Sequence, residues 1–289
     1  MTIKETSSDF VNKFEKNNLP DPALEAEILL SAVLNKDKSY LYAHPEEKIS
    51  FWQNFLLQRI VNQRLAGYSS AAITGHKWFY GLNFMVDKNV LIPRPETELM
   101  VDEALNIVKS KKLKVKNLID IGTGSGCIII SLAKNSPDDK INFYGLDISH
   151  KALAVAKKNA RKNDVGGRIN FLYSDLLNTI DKSIFNNPVL ITANLPYLTP
   201  EQLKNSPTIQ KEPKIALLAG TDGFDCYRRL FQQIKEKIGL AKNKIFILCE
   251  IDETQRNSME QLIRKNFPEA KILFKKDLNN CDRLVVVEL

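Results

Sequence analysis

Apolar residues recur along this chain at two different periods, and the change of period divides it. Up to about Gly75 the spacing is helical. Asp21-Pro22 reads as a cap followed by proline at the first helical position, after which Leu24, Ile28, Leu29, Ala32 and Val33 fall on one face. A second run carries Phe51, Phe55, Leu56, Ile60 and Leu65 and stops at Gly67. Together these predict a small helical bundle without chemistry of its own. Lys77–Tyr80 and Leu82–Val86, rich in aromatics and hinged at Gly81, predict a β-hairpin. In Val90–Glu98 two prolines force an extended path, and Glu96 or Thr97 is placed to open a helix running through Val108.

From Lys116 onward short apolar runs alternate with helical ones. Strands are predicted at Asn117–Ile121, Ile141–Leu146, Ile169–Tyr173, Val189–Ala193, Lys244–Glu250, Lys271–Phe274 and Arg283–Glu288. Helices are predicted at Cys127–Ala133, Ala152–Arg161, Phe224–Ile238 and Gln255–Asn266. Such alternation implies an α/β fold with a mostly parallel sheet covered on both faces. The short link between the last two strands makes them an antiparallel pair. The expected domains are helical at 1–75, a hairpin and proline-rich linker at 76–95, and the α/β domain at 96–289.

Composition narrows the class. Lys plus Arg number 41 against 34 Asp plus Glu, a formal charge of +7 that is spread in short runs such as Lys109–Lys112 and Lys275-Lys276. A solvated surface accounts for these runs, with a mild bias toward acidic partners. The four cysteines are scattered and form no C-x-x-C pair, and three lie in or beside apolar runs where they read as small buried hydrophobes. The three histidines are far apart, so neither a metal site nor a histidine base is expected. Trp52 and Trp78 stand in apolar surroundings and are expected in a core or an interface. Met1–Phe10 is polar and no run is long enough to span a bilayer, so a soluble, cytoplasmic protein is expected.

Candidate chemistry sits where the predicted parallel strands end. Gly122-Thr123-Gly124-Ser125-Gly126 lies between the first strand of the alternating region and its helix. Glycines there let a ligand approach backbone N–H groups, although a turn that merely tightens strand–helix packing has the same composition. Asp147 ends the second strand, where a carboxylate can accept from ribose hydroxyls. Asp175, followed by Leu176, ends the third and can accept from an adenine amino group. Three such features on consecutive strand ends point to an adenosine-containing cofactor. Asn194-Leu195-Pro196-Tyr197 follows the fourth strand. The Asn194 side-chain oxygen and the Leu195 carbonyl can hold the N–H groups of a planar amide, and Pro196 with Tyr197 can wall it. Arg94, between two prolines, either steadies a cofactor carboxylate or ties the linker down.

Asp120–Ile129, Asn194–Tyr197 and Val90–Glu98 together resemble the release-factor glutamine methyltransferases. Lys211-Glu212-Pro213, Ala216-Leu217, Gly220 and Asp222-Gly223 follow the same pattern downstream. The resemblance implies a seven-stranded, Rossmann-like methyltransferase sheet with its last strand antiparallel, and an N-terminal helical domain. It also implies S-adenosylmethionine held by Gly122–Gly126, Asp147 and Asp175-Leu176. The implied substrate is the glutamine of the Gly-Gly-Gln loop in peptide-chain release factors, held by Asn194–Tyr197. Leu195 departs from the family's usual proline, and Gly67–Ala72 and Asp252 depart as well. An N-methyltransferase acting on an exocyclic amine of adenine or guanine is the alternative, with Tyr197 stacked on a flipped base. Against it, the chain lacks a basic arm interleaved with aromatics, so no stable nucleic-acid partner is expected, and a monomer is.

Overall fold

The computed structural model describes the chain apart from residues 111–113, 207–208 and 240–242, so the lysine run at 109–112 lies largely outside the described residues. Two compact units are present, Met1–His76 and Lys77–Leu289.

The first unit is five helices: α1 (Ile3–Lys16), α2 (Pro22–Leu34), α3 (Lys38–Ala43), α4 (Phe51–Leu65) and α5 (Ser70–Thr74). Reciprocal side-chain caps open α1 at Thr2/Glu5 and α4 at Ser50/Gln53. Phe10, Phe14, Leu29, Leu30, Leu57 and Val61 form its core. In three places the unit departs from what the sequence predicts. Pro22 does open α2, but Asp21 is left-handed (φ 48°) and its side chain makes no capping bond. The buried stripe of α2 is Ala26, Leu29 and Leu30, while Leu24 is exposed. On α4 the buried residues are Leu57 and Val61, and Phe51, Trp52, Phe55 and Leu56 face solvent. Apolar residues surround most of the α4 circumference, so periodicity alone cannot choose a face, and packing against α2 chooses it.

The hairpin is β1 (His76–Phe79) and β2 (Leu82–Met85). Tyr80 and Gly81 both take positive φ (50° and 70°), the conformation a two-residue turn needs to match strand twist. Phe79 and Phe84 are buried, but Trp78 is 67% exposed and is no core residue.

A single 3₁₀ turn at Pro95–Thr97 leads into α6 (Glu98–Lys109). Then follow β3 (Asn117–Ile121), α7 (Cys127–Asn135), β4 (Asn142–Asp147), α8 (His150–Lys162), β5 (Ile169–Tyr173), β6 (Val189–Ala193) and α9 (Pro200–Lys204). The chain closes with α10 (Asp225–Ile238), β7 (Ile245–Glu250), α11 (Arg256–Asn266), β8 (Lys271–Lys276) and β9 (Asp282–Glu288). The seven strands of the main sheet lie in the order β5-β4-β3-β6-β7-β9-β8. All pairs are parallel except those of β9, which inserts antiparallel between β7 and β8. β3 and β6 are buried at every position, the pattern of strands covered on both faces. Strand order reverses between β3 and β6, and a crevice opens at the carboxyl ends of neighbouring parallel strands at such a point.

Side chains of and beside α6 and α8 tie the hairpin down, among them Glu98, Asp102 and Lys162, and one more reaches the glycine turn as well. Buried Asn159 of α8 accepts from the Met85 N–H (2.7 Å) and donates to the Met85 and Ser125 carbonyls (2.9 Å each). The hairpin and the glycine turn therefore share an anchor.

Candidate active site

At the tip of β3 the three glycines of the turn, Gly122, Gly124 and Gly126, have φ of 70°, 54° and 81°. Side chains strongly disfavour that region, so the turn depends on glycine. A Cβ at Gly126 would lie 2.7 Å from Ile130 Cδ1 and 3.2 Å from Ala156 Cβ, so this glycine also lets α7 and α8 pack closely.

Two aspartates brace the turn. Asp120 is fully buried and accepts from the hydroxyls of Thr123 (2.6 Å) and Thr192 (2.8 Å), joining the ends of β3 and β6. Burial outweighs those bonds and pushes its carboxyl up to about 7. Asp147 accepts from the Gly124 N–H (2.9 Å) and the Ser149 N–H (2.8 Å), and burial raises its carboxyl as well.

Beside the turn lies a cavity of about 480 Å³. Gly122, Thr123, Gly124, Ser125, Asp147, Asp175, Leu176, Asn194, Leu195, Pro196 and Arg94 line it. Of the residues singled out in the sequence, Gly126 and Tyr197 stand outside this lining. Asp175 is ion-paired with Arg229 of α10, itself on the cavity wall. Three cysteines are expected buried, but only Cys249 is; Cys127, Cys226 and Cys281 are partly so, and Cys127 and Cys226 line the same wall.

A second, smaller cavity of about 150 Å³ adjoins the first. Asn194, Leu195 and Pro196 line both, and Tyr197 and Glu250 line only the smaller one. The loop after β6 is thus a partition with a cavity on either side. Leu195 is buried, with Cδ2 3.0 Å from where a Cβ of Gly122 would stand. Its side chain packs on the glycine turn and braces the loop by contact, where proline would do so by restricting φ.

Residues distant in sequence hold that partition. Asn194 Nδ2 donates to the Thr97 hydroxyl (3.1 Å), which donates to Glu250 Oε2 (2.7 Å). The Tyr197 hydroxyl donates to Glu250 Oε1 (3.4 Å), and Gln255 Nε2 donates to the Tyr197 carbonyl (3.0 Å). Tyr227, fully buried in α10, shares its one hydroxyl proton between the carbonyls of Glu250 (2.5 Å) and Ala193 (3.2 Å). Gly223 sits so close that a Cβ there would be 2.3 Å from the Tyr197 carbonyl oxygen. Glu250 is 3% exposed, and burial pushes its carboxyl up to about 7. Burial likewise raises the Tyr197 hydroxyl, which stays protonated and able to donate.

Nothing beside Thr97, Glu250 or Tyr227 in the sequence marks them as partners of the loop after β6, and Gln255 is locally legible only as the far end of a capping box with Asp252. Thr97 is even misleading: it precedes α6 as a cap would, yet makes no capping bond and spends its hydroxyl on Glu250. Arg94 pairs with Glu212, whose other oxygen accepts from the Ile92 N–H (3.0 Å), so it ties the extended segment down while lining both cavities.

Strand order, a glycine turn at the first strand of the sheet and a cavity across the switch point define a methyltransferase of Rossmann-like fold. The family described as "Methyltransferase domain" matches residues 112–279, and "PrmC N-terminal domain" matches 6–75. A release factor glutamine methyltransferase of Koribacter versatilis is 32% identical over 99% of this chain and 98% of its own. One from Bacillus anthracis is 32% identical over 91% of each. A bifunctional methyltransferase of Rickettsia bellii is also 32% identical over 90% of this chain, which spans only 50% of that longer protein. Among solved structures, the hMettl16 catalytic domain in complex with the MAT2A 3′UTR hairpin 6 superposes with a TM-score of 0.54 over 81% of each chain. At 14% identity that likeness is one of fold. The chain belongs to the release factor glutamine methyltransferase family.

Proposed function

We propose that this chain transfers a methyl group from S-adenosylmethionine to the side-chain nitrogen of the glutamine in the Gly-Gly-Gln loop of peptide-chain release factors, acting as a cytoplasmic monomer. The carrying observation is the partition: Asn194 stands on the wall between a large cavity beside the glycine turn and a small one.

The larger cavity fits the cofactor. Its volume is within the range of small-molecule sites. Its wall combines glycine backbone that a nucleoside can approach with the Asp147 carboxylate for ribose hydroxyls and Asp175 for the adenine amino group. When bound, S-adenosylmethionine supplies a methyl carbon made electrophilic by its sulfonium.

The protein's own task is to make an amide nitrogen attack. That nitrogen's lone pair is delocalised into the carbonyl, so its N–H groups must be held while the lone pair turns toward the donor. With Nδ2 engaged by Thr97, Oδ1 is the Asn194 atom left to accept one substrate N–H, and the Leu195 carbonyl accepts the other. Pro196 and Tyr197 wall the amide plane and keep water out. A strong base is not required before attack: the N–CH3 bond would form as the S–CH3 bond breaks to leave neutral S-adenosylhomocysteine, and the nitrogen proton, acidic only then, would pass to solvent.

Mass spectrometry of a release factor incubated with enzyme and S-adenosylmethionine tests this. One added methyl on the loop glutamine is expected, and an unmodified glutamine sinks the reading.

A further inference from the structure

The geometry points to Glu250 and Thr97 as positioning residues that fix which way the Asn194 carboxamide faces, so that the site accepts a substrate N–H and rejects a carboxylate. This inference rests on the glutamine reading and adds to it the origin of discrimination between glutamine and glutamate.

The number of available protons fixes the orientation. An ionised carboxylate has no hydrogen to donate, so both hydroxyls that reach Glu250 must donate to it: Thr97 to Oε2 at 2.7 Å and Tyr197 to Oε1 at 3.4 Å. The Thr97 hydroxyl owns one proton, and that proton is then spent. What Thr97 offers Asn194, 3.1 Å away, is a lone pair. Only Nδ2 can meet a lone pair; Oδ1 in its place would set acceptor against acceptor. The amide is therefore turned with nitrogen toward Thr97 and oxygen away. A carboxylate two hydrogen bonds distant sets the orientation of a group that by itself has two nearly isosteric ones.

The consequence falls on the substrate. A glutamine side chain brings two N–H donors to an acceptor, whereas a glutamate brings only lone pairs and a charge. Around Glu250, the charges of Arg283 of β9 and Glu96 oppose each other. Unpaired buried polar groups are what make such sites discriminate steeply, on the order of ten-thousandfold in favourable cases.

Glu250→Gln tests the polarity directly. Its amide can donate to Thr97, which frees the Thr97 proton for Asn194 Oδ1 and allows the carboxamide to turn over. Peptides bearing Gly-Gly-Gln and Gly-Gly-Glu serve as substrate and competitor, with S-adenosylhomocysteine affinity by calorimetry as the check on folding. In Glu250→Gln the expected result is kcat/KM for the glutamine peptide lower by about 10- to 100-fold. Inhibition by the glutamate peptide should be about tenfold stronger, with cofactor-product affinity within about twofold of wild type. Thr97→Val should lose activity similarly and Thr97→Ser should restore it. A substrate-independent reading comes from the Asn194 side-chain N–H signals in ¹⁵N-edited NMR, expected to be protected from exchange in wild type and Thr97→Ser and exposed in Thr97→Val. Freely exchanging Asn194 protons in wild type overturn the proposal. Unchanged glutamine–glutamate discrimination in Glu250→Gln overturns it as well. A wild-type enzyme with protected Asn194 protons that leaves release factors unmethylated overturns the glutamine reading instead, and the selectivity built on it.

Discussion

Thr97 and Asn194 stand 97 residues apart in the chain and 3.1 Å apart in space. One precedes α6 and the other follows β6, and the bond between them places an amide of the loop against the wall of two cavities. Behind Thr97, the buried Glu250 completes a path from the sheet interior to the partition.

Asn194→Ala removes the acceptor without removing the cavity. Methyl transfer is expected to fall by about 100- to 1,000-fold, as when one transition-state hydrogen bond is deleted. Single-turnover rates with saturating cofactor would show it, and a loss below tenfold would contradict the assigned role.

Asp147→Ala acts on the other side of the partition. The carboxylate accepts from Gly124 and Ser149 and faces the larger cavity, so S-adenosylhomocysteine binding should weaken by about 10- to 100-fold. Calorimetry measures this. An unaltered Kd would move the ribose site elsewhere.

Activity should rise with pH through about 7, because the ionised Glu250 is the form that must accept from both hydroxyls, and burial pushes its carboxyl up to about 7. Glu250→Gln should flatten that limb of the pH–rate profile. Stability runs the other way. Asp120 and Glu250 both have folded-state pKa values raised above the unfolded ones. Their contribution is full below the ordinary carboxylate range and is lost as pH climbs through about 7. Thermal midpoints taken across that window for wild type and Asp120→Asn would show a shallower decline in the variant.

Gly223→Ala should damage both fold and rate. The residue has φ of 79°, and the added Cβ would stand 2.3 Å from the Tyr197 carbonyl, a backbone atom that cannot rotate away. Destabilisation of about 1–3 kcal/mol is expected from denaturant midpoints, with a fall in activity as the loop shifts.

The helical unit offers a paired comparison. Leu57→Ala removes a fully buried side chain and should cost about 2–5 kcal/mol. Trp52→Ala, at 72% exposure, should stay within about 0.5 kcal/mol. Equal costs would return Trp52 to the core or interface that its apolar neighbours in the sequence suggested.

The strands of the main sheet were legible in the sequence almost to the residue: Ile169–Tyr173 and Val189–Ala193 fall where expected. So were the places of the glycine turn and Asn194, which directly follow strands, and of Asp147, which ends one. These are local matters, in which a short apolar run bounded by turn residues encodes an element and its end. The tertiary structure alone decided the faces of α2 and α4, the insertion of β9 between β7 and β8, and the recruitment of Thr97 and Glu250. A helix apolar around most of its surface has no preferred side until a neighbour covers one. A hydrogen bond between residues 97 and 250, 153 positions apart, leaves no period in the chain because neither partner's neighbours are altered by it.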